Sequence, residues 1–392
     1  MFDKNMGDTM KRRHFLSKAG VGLAAGGFAV GAAGTYALTG GAKPAPSSPN
    51  APAPASRRKI HKWKMVTAWP KNMPGLGVGA ERCAERITRL SEGELTVKVY
   101  AAGELVPAFE CFDAVSQGVV ELGHAAAYYW QGKSKAANFF ASVPFGLTAA
   151  EQSGWIRYGG GQELWDELYE KFGLKAFIAG NSGAQMGGWF NRKIRSIEDF
   201  QGLKMRMPGL GAEVLRRVGA AAVNISGTEL FAALQTGVID ATEWIGPWND
   251  VAFGFHKIAK YYYGPGFHEP GTALELMVNL EKYNALPQHL KDIVAAACQM
   301  ETDEMLAEYA VRNANAMELL RKEHQVKIEH FPNDVIDALG KATNDVLAEL
   351  ENVDDITGRT YRSFMAFREK AIRYSAFAEG GYLQMRQRTA NL

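Results

Sequence analysis

Glu243 and the adjacent Trp244 are the first residues of this sequence whose types and placement suggest a binding site. They follow residues 238–241, an apolar run that predicts a short buried strand. In open α/β sheets, ligands bind at the carboxyl ends of strands. A carboxylate and an indole at such an end therefore indicate a small-ligand site. The alternative is an acidic residue and an aromatic on a surface loop.

Arg206 is the only charged residue in the centre of a Met-Arg-Met stretch, within a strand predicted over residues 202–208. A partly buried guanidinium needs an anion. A ligand carboxylate could meet its fork with two parallel hydrogen bonds. A structural pair between Arg206 and a glutamate is the alternative.

Three consecutive aromatic residues, Tyr128, Tyr129 and Trp130, follow a strand predicted over residues 121–127. They could form a hydrophobic lid over the core. They could also form one wall of a ligand pocket, where rings supply contact area and polar tips supply hydrogen-bond donors. The sequence leaves both interpretations open.

The elements that position these residues begin with a regular alternation of strands and helices. This order predicts parallel pairing with right-handed crossovers and an α/β fold. The predicted strands cover residues 63–69, 95–100 and 121–127, and the predicted helices between them cover residues 76–90 and 109–120.

Later segments predict a second domain and long terminal helices. One helix is expected over residues 148–172, and a Gly/Ser/Asn break at 180–185 is typical of an interdomain hinge. Ser226 and Glu229 have capping-box spacing at the start of a helix that ends at Gly237. Further helices are expected over residues 288–325, 335–350 and 360–373, the last with an apolar face that suggests a partner subunit.

Composition excludes several classes of function. The 392 residues carry a net charge of +2, and no basic run outside the N-terminus suggests nucleic-acid binding. The three cysteines have no metal-type spacing and are expected to be buried free thiols. Without a Cys/His cluster, nucleophile elbow or phosphate loop, the chain is expected not to be an enzyme.

The N-terminus has the features of an export signal. Arg12 and Arg13 precede Phe-Leu and a mildly apolar run over residues 19–38, a pattern that resembles a twin-arginine signal. A Pro/Ala/Ser-rich linker follows over residues 43–56. Residues 1–57 are therefore interpreted as signal and linker, and the periplasm is the expected location.

Three motifs in the expected order resemble those of TRAP-transporter solute receptors of the DctP type. The motifs are residues 199–206 (DFQGLKMR), 232–241 (AALQTGVIDA) and 112–118 (FDAVSQG), and the resemblance runs from about Lys62 to the last helices. It implies a two-domain periplasmic binding protein fold, with mixed sheets flanked by helices, a ligand cleft between the domains and long C-terminal helices. It also implies a membrane permease as partner.

Within that family, the site residues are most similar to those of the α-keto acid and lactate receptors. The resemblance implies that Arg206 pairs with a substrate carboxylate. It also implies that Gln185, Glu243, the Trp244 carbonyl and Glu269 hold a metal ion. The other expected substrate contacts are the side chains of Gln185, Tyr128, Tyr129, Trp130, Trp244 and Asn249.

Charge counting favours a bound cation. Two glutamates, one arginine and a monocarboxylate leave −2 in a desolvated space, which is costly unless a cation binds or a glutamate is protonated. About six hard oxygen ligands suit Ca²⁺, and Na⁺ by the same logic. A 2-oxo or 2-hydroxy group could chelate the cation together with the carboxylate.

The predicted function is that of an extracytoplasmic TRAP receptor for a small 2-oxo or 2-hydroxy monocarboxylate. The alternatives are a receptor for a larger aromatic or dicarboxylic acid and, from another class, an exported enzyme. Domain I is predicted over residues 58–183 and 272–311, and domain II over 184–271 and 312–352. Residues 353–392 are predicted to form a dimerisation helix, which in the resembling receptors is swapped between subunits.

Overall fold

The computed structural model describes residues 59–390, so the predicted signal and linker over residues 1–57 lie outside the described residues. The described chain belongs to one compact unit. Two mixed β-sheets flanked by helices make up this unit. Among the described residues, no helix combines the length and apolar character that crossing a membrane requires.

The elements alternate between strands and helices over most of the chain, with short 3₁₀ turns between some of them. The strands of the described chain are β1 His61–Thr67, β2 Leu95–Tyr100, β3 Leu122–Ala125, β4 Leu174–Asn181, β5 Gly188–Phe190, β6 Lys204–Arg206, β7 Ala221–Val223, β8 Ala241–Thr242, β9 Tyr261–Tyr263, β10 Ala273–Asn279 and β11 Lys327–Glu329. The α-helices of the same residues are α1 Leu76–Leu90, α2 Cys111–Ser116, α3 Ala149–Tyr158, α4 Gly161–Glu170, α5 Gly209–Arg217, α6 Leu230–Gln235, α7 Pro247–Phe253, α8 Leu280–Asn284, α9 Gln288–Lys322, α10 Asn333–Leu350, α11 Asp355–Ser375 and α12 Glu379–Thr389.

The first sheet has the strand order β2-β1-β3-β10-β4. Strand β1 pairs in parallel with both β2 and β3, which confirms the pairing predicted for the first three strands. Strand β10 lies antiparallel between β3 and β4. Because β10 follows β5 to β9 in sequence and precedes β11, the chain returns to the first sheet before it adds the last strand of the second.

The second sheet has the order β11-β9-β5-β8-β6-β7 and is also mixed. Strand β6 pairs in parallel with β7 and β8, whereas β5 pairs antiparallel with β8 and β9. The strands of the first sheet all fall in the residues predicted as domain I, and those of the second sheet fall in the residues predicted as domain II. The domain boundaries themselves stay a prediction.

Three local predictions are wrong, of which two concern a long helix and a short strand. The helix expected over residues 148–172 is broken into α3 and α4 at Gly160, which adopts a positive φ of 87°. The strand expected over residues 238–241 begins only at Ala241, and Val238 is exposed. The reason is that Asp240 pairs with Lys204 through both its backbone N–H and its side-chain carboxylate instead of extending β8.

The helix before β8 also differs from its prediction. Helix α6 begins at Leu230, and Ser226 donates through its hydroxyl to the Glu229 carboxylate instead of forming a backbone cap. By contrast, the predicted helix over residues 288–325 is one continuous helix, α9, which packs against β4, α1 and α7. All three cysteines are buried and free, as predicted.

Candidate functional site

A small cavity lies where the carboxyl ends of strands from both sheets meet. Trp69 follows β1, Tyr128 and Tyr129 follow β3, Arg206 ends β6 and Trp244 follows β8. The space between the lining side chains has room for about one water molecule, since the centre of a water-sized sphere can occupy only about 10 Å³ of it. The lining residues are Trp69, Leu76, Tyr128, Tyr129, Ser182, Gln185, Arg206, Trp244, Ile245, Thr272 and Leu274.

Arg206 is the cation of this cavity, and its guanidinium is buried. Its Nη1 forms an ion pair with Glu243, and its Nε donates to the Ile225 carbonyl at 3.1 Å. The guanidinium also lies 5.0 Å from the centre of the Trp244 ring. Its Nη2 is buried without a hydrogen-bond partner among the described residues. The Arg–Glu pair left open by the sequence therefore exists, but it leaves one guanidinium nitrogen available for an anion.

Two glutamates and a histidine form a buried cluster beside Arg206. Glu243, His268 and Glu269 can each direct one ligand atom into a group whose atoms lie within 4.8 Å of one another. His268 Nε2 lies 3.3 Å from Glu243 Oε2, and Thr272 donates to Glu269 at 2.5 Å. Burial raises the pKa of Glu269 to about 7. Ionised carboxylates in this cluster are therefore costly unless a cation or a proton offsets their charge.

Gln185 adds an amide oxygen to the same region. Its Nε2 donates to the Ser182 hydroxyl at 2.9 Å, so the oxygen is the free end of the amide. Its Oε1 is buried and has no hydrogen-bond partner within residues 59–390. Its backbone N–H donates to the Glu269 carbonyl at 3.0 Å, so the two predicted metal ligands are tied together. Carboxylate and amide oxygens in such a group fit a hard cation such as Ca²⁺ or Na⁺.

Five of the predicted substrate-contact residues line the cavity, and two do not. Tyr128, Tyr129, Gln185, Arg206 and Trp244 surround it. The structure places Trp130 in the core of the first sheet, where its indole donates to Glu275 at 2.5 Å. It places Asn249 outside the cavity, where its side chain donates to the Pro74 carbonyl at 2.7 Å. Tyr128 and Tyr129 therefore belong to the cavity wall, whereas Trp130 packs in the core.

Sequence reasoning missed His268 and most of the apolar wall. His268 immediately precedes Glu269, a predicted metal ligand, and this adjacency could have identified it. Trp69 ends the first strand segment and could have been found as an aromatic at a strand end. Its indole donates to His124 Nδ1 at 2.8 Å, and burial lowers the pKa of His124 to about 4. His124 is therefore neutral and positions Trp69.

An α/β chain with a buried, charged cavity between strand ends has the architecture of a solute-binding protein. The model of bacterial extracellular solute-binding protein family 7, DctP, matches residues 65–353. A monocarboxylate 2-oxoacid-binding periplasmic protein of Nostoc sp. is 38% identical over 373 residues, which cover 95% of this chain and 98% of that protein. The chain therefore belongs to the DctP family, and this prediction is confirmed.

Solved structures agree with this assignment. A TRAP periplasmic solute-binding protein from Pseudoalteromonas atlantica, with bound sodium and pyruvate, is 39% identical with a TM-score of 0.81, over 83% of this chain and 99% of that one. A TRAP solute-binding protein from Bordetella bronchiseptica, a dimer with calcium and picolinate, is 35% identical with a TM-score of 0.83, over 85% and 99%. The predicted fold class is confirmed.

Proposed function

We propose that this chain is a non-enzymatic TRAP receptor that binds a small 2-oxo or 2-hydroxy monocarboxylate and delivers it to the membrane permease. The observation that carries the proposal is a pair of unpartnered buried atoms at one cavity, Arg206 Nη2 and Gln185 Oε1. The first can donate to a carboxylate, and the second can accept from a donor or bind a cation. The 2-oxoacid and pyruvate named for the two relatives fit this arrangement.

A cation completes the charge of the proposed site. Arg206 offsets one of the two glutamates, so the residues alone leave −1 when Glu243 and Glu269 are ionised. A bound monocarboxylate would bring the total to −2, which Na⁺ reduces to −1 and Ca²⁺ to zero. We assign Gln185, Glu243, Glu269 and the Trp244 carbonyl as the ligands of this cation. The sodium and calcium of the two solved relatives support it.

The shape of the cavity favours a short, singly charged acid. Beyond Arg206, its wall combines uncharged polar side chains with apolar ones, the latter including Trp69, Leu76, Ile245 and Leu274. Among the described residues no second lysine or arginine lines it, so a distal carboxylate of a dicarboxylic acid would be buried without a counter-charge. The small free volume of the cavity also disfavours a large substituent at the end of the carbon chain of a 2-oxo acid.

A second candidate is a small aromatic acid. The Bordetella relative contains picolinate, whose ring nitrogen stands next to its carboxylate as the oxygen of a 2-oxo acid does. Each of these ligands could therefore chelate a cation in a five-membered ring. Trp69 and Tyr129 lie at the apolar part of the cavity and could stack on a ring.

Calorimetric titration tests the proposal. Purified protein is stripped of ligand and titrated with pyruvate, lactate, picolinate, propionate and 2-oxoglutarate, in the presence of Na⁺, Ca²⁺ or a chelator with choline as the only monovalent cation. We expect pyruvate or lactate to bind tightly with a cation, and propionate and 2-oxoglutarate to bind weakly. Tightest binding of picolinate would instead support the aromatic acid. If none of the five acids binds with either cation, the proposed ligand class is wrong.

We also propose that the chain reaches the periplasm through the twin-arginine pathway. The relative from Nostoc sp. is a periplasmic protein, and the paired arginines of the N-terminus support this route. The variant with Arg12→Lys and Arg13→Lys should accumulate in the cytoplasm when the native protein is exported. Equal export of both proteins would exclude the route.

The proposed partner of the C-terminal helices is a second copy of this chain. Helix α12 buries none of its residues, and Tyr374, Phe377, Tyr382 and Met385 are all more than half exposed. This series of apolar side chains continues from α11 into α12, and a homodimer would cover it. In light scattering, Phe377→Asp should shift the protein to monomers. Tyr158→Asp, at an exposed aromatic on α3, is the control that should leave the mass unchanged.

A further inference from the structure

Asn249 is fully buried, yet it does not line the ligand cavity. It lies on α7, six residues after Glu243, and thus on the side of the second sheet. Its side-chain N–H donates at 2.7 Å to the carbonyl of Pro74, which lies in the loop between β1 and α1 of the first sheet. The amide therefore joins the two sides of the cavity without contacting its interior.

Helix α9 fixes both partners of this contact. On the α7 side, Asn313 accepts from the backbone N–H of Trp248 at 3.1 Å. On the loop side, the Tyr309 hydroxyl packs so closely on Gly75 that a Cβ there would lie 2.3 Å from its oxygen. Gly75 also has a positive φ of 70°, so the approach requires a residue without a side chain. Helix α9 thus contacts both the loop and α7 where the hydrogen bond joins them.

The Pro74 carbonyl can release Asn249 at low cost. It also accepts from the backbone N–H of Leu76 at 2.9 Å, so it keeps one hydrogen bond when Asn249 leaves. The Asn249 amide would then be hydrated in an open cleft. A contact that costs little to break and closes one edge of the cavity suits a reversible step better than permanent packing.

We propose that the hydrogen bond from Asn249 to Pro74 is a latch that holds the ligand cleft closed. Asn249 is then a positioning residue that sets ligand affinity and dissociation rate without contacting the ligand. This inference rests on the proposed function, because it assumes that the two sides separate to admit a solute. A ligand that requires the closed form binds more weakly when that form is less populated.

The test compares Asn249→Ala with Asn279→Ala. Asn279 is also buried, and its side chain donates to the Val115 carbonyl at 2.9 Å, but both of these residues belong to the side of the first sheet. Pyruvate and lactate affinities are measured by calorimetry with cation present, and dissociation rates by stopped flow. Small-angle scattering gives the radius of gyration of each protein without ligand.

We expect Asn249→Ala to bind both acids roughly tenfold more weakly, the scale of one hydrogen bond. Most of the loss should lie in faster dissociation, and the ligand-free variant should have a larger radius of gyration. Asn279→Ala should melt at a lower temperature and bind within about twofold of wild type. Asn249→Asp, which lacks the N–H donor and adds a buried carboxylate, should bind at least as weakly as Asn249→Ala.

Four results would overturn the latch. The first is an unchanged affinity and dissociation rate in Asn249→Ala, and the second is an equal loss in Asn279→Ala. The third is an unequal loss for pyruvate and lactate, since that would indicate a direct ligand contact. If wild-type protein binds neither acid, the proposed function fails first. The latch is then tested by the radii of gyration of the ligand-free proteins. The fourth contradicting result is an equal radius for wild type and Asn249→Ala.

Discussion

The protein buries glutamates in two different ways. On β10, both carboxylate oxygens of Glu275 are satisfied, one by the Trp130 indole at 2.5 Å and the other by the Tyr169 hydroxyl at 2.7 Å. At the cavity, Glu243 and Glu269 are buried to the same degree. Their surroundings keep unpartnered polar atoms on Gln185, Arg206, Trp244 and His268.

The difference teaches which signal marks a binding site. Burial raises the pKa of Glu275 and that of Glu269 alike, each to about 7, so a shifted pKa does not separate them. Their neighbours separate them, because several unpartnered polar atoms surround Glu269, whereas the groups that contact the Glu275 carboxylate are bonded to it. A buried polar group without a partner is costly, and a fold retains several together where something else binds.

The largest expected effect is that of Arg206→Ala. It removes the proposed carboxylate partner and leaves Glu243 without its buried counter-charge. We expect pyruvate affinity to fall by at least about 30-fold, because truncating one member of a buried pair costs roughly 2–5 kcal/mol. Calorimetry on protein verified as folded by circular dichroism measures it. Glu275→Gln is the control and should bind normally. Near-normal affinity in Arg206→Ala would remove Arg206 from the site.

Glu269→Gln separates charge from shape at the cation site. The amide oxygen can still accept from Thr272, but one negative charge is lost. We expect pyruvate to bind about 10-fold to 100-fold more weakly, with a reduced dependence on added Na⁺ or Ca²⁺. Titrations at several cation concentrations measure this. Unchanged cation dependence would contradict the assignment of Glu269 as a ligand.

Much of this site could be predicted because strand order fixes where strand ends meet. Arg206 and Trp244 end neighbouring strands of the second sheet, and Tyr128 and Tyr129 follow a strand of the first. Periodicity was enough to place all four at strand ends, although it left open whether Tyr128 and Tyr129 line a ligand pocket or cover the core. Gln185 was found through the resemblance alone.

The rest depended on side-chain directions that a sequence does not encode locally. Trp130 follows Tyr129 directly, yet its indole turns into the core to reach Glu275, 145 residues away. Asn249 lies near Glu243 in sequence, but its position on α7 directs it to Pro74. In both cases, the partner comes from a distant segment, so residue type and spacing could not decide between packing and ligand binding.

The pH dependence of stability should report on Glu275. Its pKa is raised from 4.5 to about 7 by burial, so the folded protein holds a proton that the unfolded chain has released. This contribution to stability is complete below pH 4.5 and is lost as the pH rises to about 7. Relative to Glu275→Gln, the free energy of unfolding should decrease over that range, by at most about 1.4 kcal/mol per pH unit. Denaturant titrations of both proteins measure it, and parallel pH profiles would contradict it.

Trp130→Phe gives the smallest effect and the sharpest distinction between the two regions. Phenylalanine keeps an aromatic ring beside Phe112 but removes the indole donor to Glu275. We expect the free energy of unfolding to fall by about 1–3 kcal/mol, because a buried carboxylate oxygen loses its partner. Pyruvate affinity should stay within about twofold of wild type. Trp244→Phe is the matched variant at the cavity, where the loss of the unpartnered indole N–H should change affinity more than stability. A weaker pyruvate affinity in Trp130→Phe, with unchanged stability, would indicate that Trp130 contacts the ligand. A residue that only packs in the core would lower the stability instead.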